Sequence, residues 1–430
     1  MRRSTISLAF AMMFGSFCAA AFASAAGSTA TADEPTGALT LPRALAAALV
    51  ANTELSAFSW QLRASEAHLL QAGLRPNPEA SLVVEDILGT GRFRGGREAQ
   101  VTLQLSQLVE LGAKREKRVA VAAASREVAA REYEAKRAEV LADVTRKFIR
   151  VVARQQILEL TGATTKLSET TLETVVRRMK AGVGSPLEEK KAQIALARSR
   201  LATEDAEHEL AVAKRDLAST WASREARFDA VEGDLLARRT VPPYDQLVVR
   251  LVVAPDMLRK VSEKAVRQAE IQLAEARRIP NASVIGGVRR LEGPGEESFL
   301  FGLSVPLPLS DRNQGGAAQA QALLGKAQAD EQATDVRLRT LLFSLHQELR
   351  HSGHVLDALE KEVLPEAEKS VALSRDGFTQ GRFSLLELLD AERTLGEVRR
   401  EHLEAGASYQ QFVLEIEQLI GGPIEEAHTP

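Results

Sequence analysis

Apolar residues recur every three or four positions along most of the chain, which is the spacing of helices that bury one face. Residues 113–180 contain no proline and a single glycine, Gly162, so they predict one helix of about 100 Å at roughly 1.5 Å per residue. The spacing continues in residues 186–221 and returns in 317–380 and 384–420. These long runs predict helices that pack in the manner of coiled coils.

Two shorter stretches change to a period of two, which is typical of strands. Residues 101–105 alternate apolar and polar side chains, and residues 81–87 form a weaker partner across a glycine-rich loop. In the second half, residues 282–288 and 299–305 flank a Gly-Pro-Gly turn. The sequence therefore predicts only four strands, in two hairpins far apart along the chain.

The interruptions of the helical runs are marked by proline, glycine and asparagine. A first helix is predicted from Thr40 to about Leu74, where an Arg-Pro-Asn-Pro sequence stops it. Gly162 and Pro365 occupy similar places in the two halves, and each is a candidate position for a bend or an insertion in a long helix.

The two halves of the chain repeat one another. Gly381 follows Gly182 by 199 positions, and Pro280 follows Pro76 by 204. Each half offers a helix, a hairpin and two long helices that meet at a tight tip, which predicts a duplicated unit. The expected organisation is a signal peptide at 1–25, a first repeat at 26–225 (hairpin about 79–108, tip about 181–187), a linker at 226–255, a second repeat at 256–422 (hairpin about 281–306, tip about 379–384) and a tail at 423–430.

The second tip carries two carboxylates on one helical face. Ser384 is placed to cap the last helix, with Glu387 three residues later as its capping-box partner. Asp390 follows Glu387 by three positions and shares its face. In the first tip Glu188 takes the place of Glu387. One interpretation is a helix cap beside a solvated aspartate; the other is an acidic group with a functional role.

Composition limits the classes of function. The chain has 430 residues, of which 45% are apolar and 26% charged, with a net charge of −3, and this near-neutral balance argues against nucleic-acid binding. The sequence has no Gly-x-Ser-x-Gly elbow, phosphate-binding loop or His-Glu-x-x-His motif. We therefore expect neither an enzyme nor a cofactor.

The N-terminus has the pattern of a secretory signal. Arg2 and Arg3 precede an apolar stretch at residues 6–17, and small residues at 21–25 predict cleavage there; an anchor that is never removed is the alternative. Cys18, the sole cysteine, lies inside this segment. No other stretch has the ~18 uninterrupted apolar residues of a membrane helix, so entry into a membrane would use strands.

Three histidines lie along one predicted helix: His346, His351 and His354. His351 and His354 could share a face. A metal site usually needs three or more ligands with support behind them, so we expect solvated surface histidines instead.

Four strands are too few to close a membrane barrel, which needs at least about eight. An open four-stranded sheet would leave unpaired edges. Three chains would supply twelve strands, enough to close a barrel, and the long helices would then continue as a tube on the side opposite the hairpin loops. The fold class expected is thus mainly helical with a small β part, a trimeric 12-stranded outer-membrane barrel joined to a helical barrel in the periplasm.

The chain resembles the TolC-like outer-membrane efflux channel family over essentially the whole mature sequence. The resemblance is carried by the Pro-Asn pairs at 76–77 and 280–281, by QLSQLVELGAKR at 104–115, by GLSVPLPLSDRNQGG at 302–316 and by both tips. The phrases SVPLPLSDRNQG and LLELLDAERTL look most like the branch that serves heavy-metal efflux pumps, although exporters of organic solutes share similar phrases.

The resemblance implies a homotrimer in outer-membrane lipid that works with a periplasmic adaptor and an inner-membrane pump of the resistance-nodulation-division (RND) type. It implies an acidic constriction at Glu387 and Asp390, and links that hold the tip shut at Glu188 and Phe378. The basic residue expected two positions after Gly381 is replaced by Phe383, which puts a family-like salt link in doubt. A periplasmic coiled-coil adaptor without a pore is the alternative from another class, and the two isolated hairpins argue against it.

Overall fold

The computed structural model describes residues 34–425 of the chain. The predicted signal peptide and the last five residues of the predicted tail lie outside this range. The strands are β1 Gly37–Thr40, β2 Glu79–Glu85, β3 Gln100–Val109, β4 Phe228–Glu232, β5 Ala282–Leu291 and β6 Glu296–Ser304. The α-helices are α1 Leu41–Ala51, α2 Thr53–Gly73, α3 Lys114–Lys180, α4 Pro186–Ser219, α5 Tyr244–Arg250, α6 Pro255–Ala276, α7 Gln314–Ala358, α8 Leu364–Thr379 and α9 Leu385–Ile420.

The two predicted hairpins are confirmed, and they join into one antiparallel sheet. The strand order is β2-β3-β5-β6, so the halves meet where β3 pairs with β5. Leu103 lies opposite Leu82 on one side and Val288 on the other. The outer edges of β2 and β6 have no strand partner within the described residues.

The prediction of only four strands is wrong. β1 and β4 form a second, parallel sheet of two strands, and β4 and α5 both lie in the stretch expected to link the repeats. Leu39 and Phe228 from these strands are buried against Phe148 of α3. Strands of four or five residues are too short to show a period, and they are stabilised here by residues far away in sequence.

The first helix is also different from the prediction, because it breaks in two at Asn52. The Asn52 side chain accepts a hydrogen bond from the Leu55 amide at 2.9 Å and so caps α2. The Nδ2 group of the same side chain donates to the Thr220 carbonyl at 2.8 Å, which connects the break to the end of α4. The signal was present in the sequence, since asparagine is a preferred N-cap residue.

The two candidate bends behave differently. α3 runs unbroken for 67 residues through Gly162, so the expectation of an insertion in the helix there is wrong. One glycine costs about 1 kcal/mol in a helix, which the strong helix formers and the packing around it outweigh. At the matching place in the second half, a wide π-helical turn at Leu359–Val363 separates α7 from α8, and Pro365 lies in the first turn of α8.

The long helices pack α3 against α4 and α8 against α9, and α3 also lies beside α9. Apolar clusters lie along this packing, from the level of the small sheet down to the tips. Among residues 34–425, no helix is both long and apolar enough to cross a membrane.

Candidate functional site at the helical tips

The two tips have the same backbone construction. Gly182 and Gly381 have φ angles of +75° and +74°, in the left-handed region that favours glycine. Each glycine follows the end of a long helix, and each is followed within four residues by a serine that caps the next helix. The sequence predicted both turns from these glycines.

Glu387 forms the capping box predicted for it. The Ser384 amide and hydroxyl donate to Glu387 Oε2 at 2.6 and 2.9 Å, and the Glu387 amide donates back to Ser384 Oγ at 3.3 Å. These hydrogen bonds from Ser384 lower the pKa of the Glu387 carboxyl. The side chain remains exposed to solvent.

Asp390 lies one turn further along α9 and is also exposed. Arg393 pairs with it at 2.9 Å. Within one chain the structure therefore gives Glu387 the role of a cap and Asp390 an exposed partner on the same helix. Both carboxylates are on the surface of the chain.

Glu188 in the first tip forms an equivalent but looser cap. Ser185 donates its amide hydrogen to Glu188 Oε2 at 3.1 Å, and the Leu187 amide donates to Ser185 Oγ at 3.2 Å. Sequence comparison of the halves indicated that Glu188 takes the place of Glu387, but it did not identify Ser185 as the cap.

Phe378 is the centre of an apolar plug between the two tips. Its side chain is 1% exposed. The plug, as we call it, is completed by the buried residues Val175, Ala192, Leu385 and Leu388. Since these come from α3, α4 and α9, Phe378 on α8 holds all four helices together near their ends.

Arg178 is the tip residue that the sequence reasoning missed. Its Nη1 donates to the Phe378 carbonyl at 2.6 Å and to the Thr379 carbonyl at 3.3 Å, and its guanidinium lies 4.7 Å from the centre of the Phe378 ring. A cation is favourable there because the last carbonyls of a helix carry partial negative charge. The only available signal was its position three residues after Val175, on the same face of α3.

The aromatic residue that replaces the expected basic one also has a structural role. Phe383 folds back over Gly377, and a side chain at position 377 would collide with its ring. The amides of Arg382 and Phe383 both donate to the Gly377 carbonyl. The turn is thus closed by backbone contacts and by the Phe383 ring.

The three histidines do not form a group. His346 is buried, and its Nε2 lies 3.1 Å from the Pro242 carbonyl beside the Tyr244 ring, so the expectation of a solvated side chain is wrong for this residue. His351 and His354 are exposed. Within the described residues, no cluster of three or more His, Cys, Asp or Glu side chains is placed to hold a metal ion.

Comparison with known proteins shows what the whole chain is similar to. A family model described as "Outer membrane efflux protein" matches residues 44–223 and 250–422. The cobalt-zinc-cadmium resistance protein CzcC of Cupriavidus metallidurans is 30% identical over 388 residues, which cover 90% of this chain and 91% of CzcC. The nickel-cobalt-cadmium resistance protein NccC of Alcaligenes xylosoxydans is 26% identical over 318 residues, which cover 71% of this chain and 68% of NccC.

Solved structures share the fold. A membrane protein from Pseudomonas aeruginosa superposes with a TM-score of 0.76 at 19% identity, covering 89% of this chain and 92% of that protein. The transmembrane channel protein CusC superposes with a TM-score of 0.70 at 16% identity, covering 92% of this chain and 96% of CusC.

Proposed function

The chain belongs to the outer membrane efflux protein family, and from that premise we propose that it is the trimeric outer-membrane channel of a tripartite efflux system that exports heavy-metal cations. The observation that supports this choice of cargo is the similarity to CzcC, which extends over nine-tenths of both chains. CzcC is named for resistance to cobalt, zinc and cadmium. We also propose that the two repeats extend over residues 26–225 and 256–422.

The sheet supports the trimer. β2 and β6 each expose one edge, and four strands per chain make twelve in three copies, enough for a closed barrel. Phe299, Phe301 and Leu303 alternate along β6 and are 80%, 85% and 70% exposed. In the proposed barrel, edge pairing would satisfy the free backbone groups and the aromatic face would lie against lipid.

The second tip supports a cation-selective constriction. Three copies would bring about six carboxylates, from Glu387 and Asp390, around one axis, and rings of acidic side chains favour cations in pores. The capping bonds leave Glu387 ionised and hold it in place. Phe378, Arg178 and Glu188 would then hold the tip closed around that ring.

The proposed partners are those that the resemblance to the family implies. The tips lie at the far end of long helices from the strands, where a periplasmic adaptor and an inner-membrane pump of the RND type would meet them. We propose that the chain itself performs no chemistry and that the pump supplies the energy.

The cargo is tested in a host that lacks its own outer-membrane efflux proteins. The chain is expressed with the adaptor and pump encoded in the same genome, and the inhibitory concentrations of Co²⁺, Zn²⁺ and Cd²⁺ are measured beside those of lipophilic antibiotics and dyes. We expect several-fold higher tolerance to the metals alone. Tolerance gained only against the organic compounds would assign the channel to organic solutes instead.

The acidic constriction is tested with purified trimers in planar bilayers. Replacing Glu387 and Asp390 with alanine should reduce cation preference and block by divalent cations. The matched control is Glu204→Ala, at an exposed acid on α4. Unchanged selectivity in the double variant would rule out the acidic ring. It would not contradict the proposed trimer or the proposed cargo.

A further inference from the structure

Glu392 interrupts the apolar stripe by which α9 packs. The buried positions along this part of α9 follow three-four spacing and are Leu385, Leu388, Glu392, Leu395 and Val398. Only 7% of Glu392 is exposed. Such positions normally take apolar residues in helices that pack as coiled coils, and a charged side chain there costs stability. Burial in the single chain is also a lower limit, because assembly can only cover more surface.

The carboxylate has few partners for a buried charge. Thr171 Oγ1 on α3 donates one hydrogen bond to Oε1 at 2.9 Å. Arg375 on α8 approaches the same oxygen at 3.6 Å, and its own side chain is 45% exposed. Among the described residues these are the polar groups that face Glu392, whereas a carboxylate has about four sites that accept hydrogen bonds.

This arrangement favours the separation of the helices that create it. Taking a carboxylate out of water is costly unless the charge is paired and its lone pairs are satisfied. Here the ion pair is loose and one hydrogen bond replaces the hydration shell. Moving α9 away from α3 would return water to Glu392 and release that cost.

We propose that ionised Glu392 biases the tip toward opening, because its burial between α3, α8 and α9 is relieved when the helices separate. This inference rests on the proposed function, since it assumes that the tip of the channel opens. The plug around Phe378 and the contacts of Arg178 lie one to two helical turns away and oppose this opening. The closed tip is then a balance between apolar packing and one buried carboxylate.

The proposal predicts opposite effects for two neighbouring substitutions. Glu392→Gln keeps the shape and the acceptor for Thr171 but removes the charge, so it should lower the open fraction of single channels about tenfold at about pH 8, where a glutamate is normally ionised. Thr171→Val leaves the carboxylate without its hydrogen bond and should raise the open fraction. If Glu392 merely ties the helices together, both changes would raise it.

The controls separate this inference from the proposed function. Glu397→Gln, on an exposed face of α9, should leave the open fraction unchanged, and the mass of each variant in detergent reports whether it assembles. If the parent protein forms no channel, that result contradicts the proposed function itself. In that case hydrogen exchange at residues 168–175 and 388–396 still decides the inference: slower exchange in Glu392→Gln supports it, and equal or faster exchange overturns it.

Discussion

The two tips share a backbone design but contribute opposite chemistry to the contact between them. Both turn at a glycine with positive φ and both begin the next helix with a serine capping box. The first tip contributes a cation, Arg178, whereas the second contributes the carbonyl groups and the ring of Phe378 that receive it. The two tips thus share the turn but differ in their side chains, which makes them complementary partners in this contact.

The helices that lead into the tips differ as well. α3 reaches the first tip as one helix of 67 residues, whereas α8 has 16 residues and is preceded by the π-helical turn and Pro365. A proline in the helix removes one amide donor, and π-helical turns often lie at functional sites. We therefore expect any bending to occur in the second pair of helices rather than in the first.

The largest effect should come from removing the plug. Phe378→Ala leaves a cavity where four helices meet, and truncating a buried phenylalanine typically costs about 3–5 kcal/mol. We expect faster hydrogen exchange in both tips, since the plug belongs to both. Val183→Ala, at an exposed apolar residue of the first tip, is the matched control. Exchange confined to the second tip would contradict a shared plug.

Much of the fold of the tips and the sheet could be predicted from the sequence, because it follows from local turn signals and periodicity. The glycine turns, the Ser384 cap and the hairpins follow from local patterns, so their positions were found without any tertiary information. Arg178, Glu392 and the buried His346 could not be found in this way. Each acquires its role from a residue about 100 to 220 positions away. Without that partner, a polar residue on a long helix is expected to lie on the solvated surface.

The second-largest effect should come from removing the cation. Arg178→Met deletes a charged donor to two carbonyls, and hydrogen bonds to charged groups contribute about 1.5–3 kcal/mol. The open fraction of the channel should rise. Arg177→Met, which removes the neighbouring exposed arginine, should change it little. If the two variants behave alike, the contact between the tips does not hold the channel closed.

A smaller effect is expected from pH. Burial raises the pKa of the Glu392 carboxyl, while Thr171 from α3 and Arg375 from α8 oppose the rise, and the residues one turn away on α9 are uncharged. The folded chain keeps the proton on Glu392 up to a higher pH than the unfolded chain does. The contact is therefore most stable at low pH. Its stability falls as the pH rises through the raised pKa.

This sign can be measured by hydrogen exchange in the tips between about pH 4 and pH 8, after correction for the intrinsic exchange rate. The parent chain should open more readily toward the upper end of the range. Glu392→Gln should remove that part of the pH dependence and leave whatever the exposed acids contribute. An unchanged profile in the variant would mean that Glu392 does not titrate in this range.

The smallest effect should distinguish the two caps. Glu387 accepts two hydrogen bonds from Ser384, at 2.6 and 2.9 Å, whereas Glu188 accepts one from Ser185 at 3.1 Å. Glutamine keeps an acceptor but loses the charge that favours the N-terminus of a helix. Glu387→Gln should therefore destabilise the start of α9 more than Glu188→Gln destabilises the start of α4. Exchange of the first-turn amides of each helix measures both, and equal losses would show that the shorter bonds at Ser384 add nothing to the second tip.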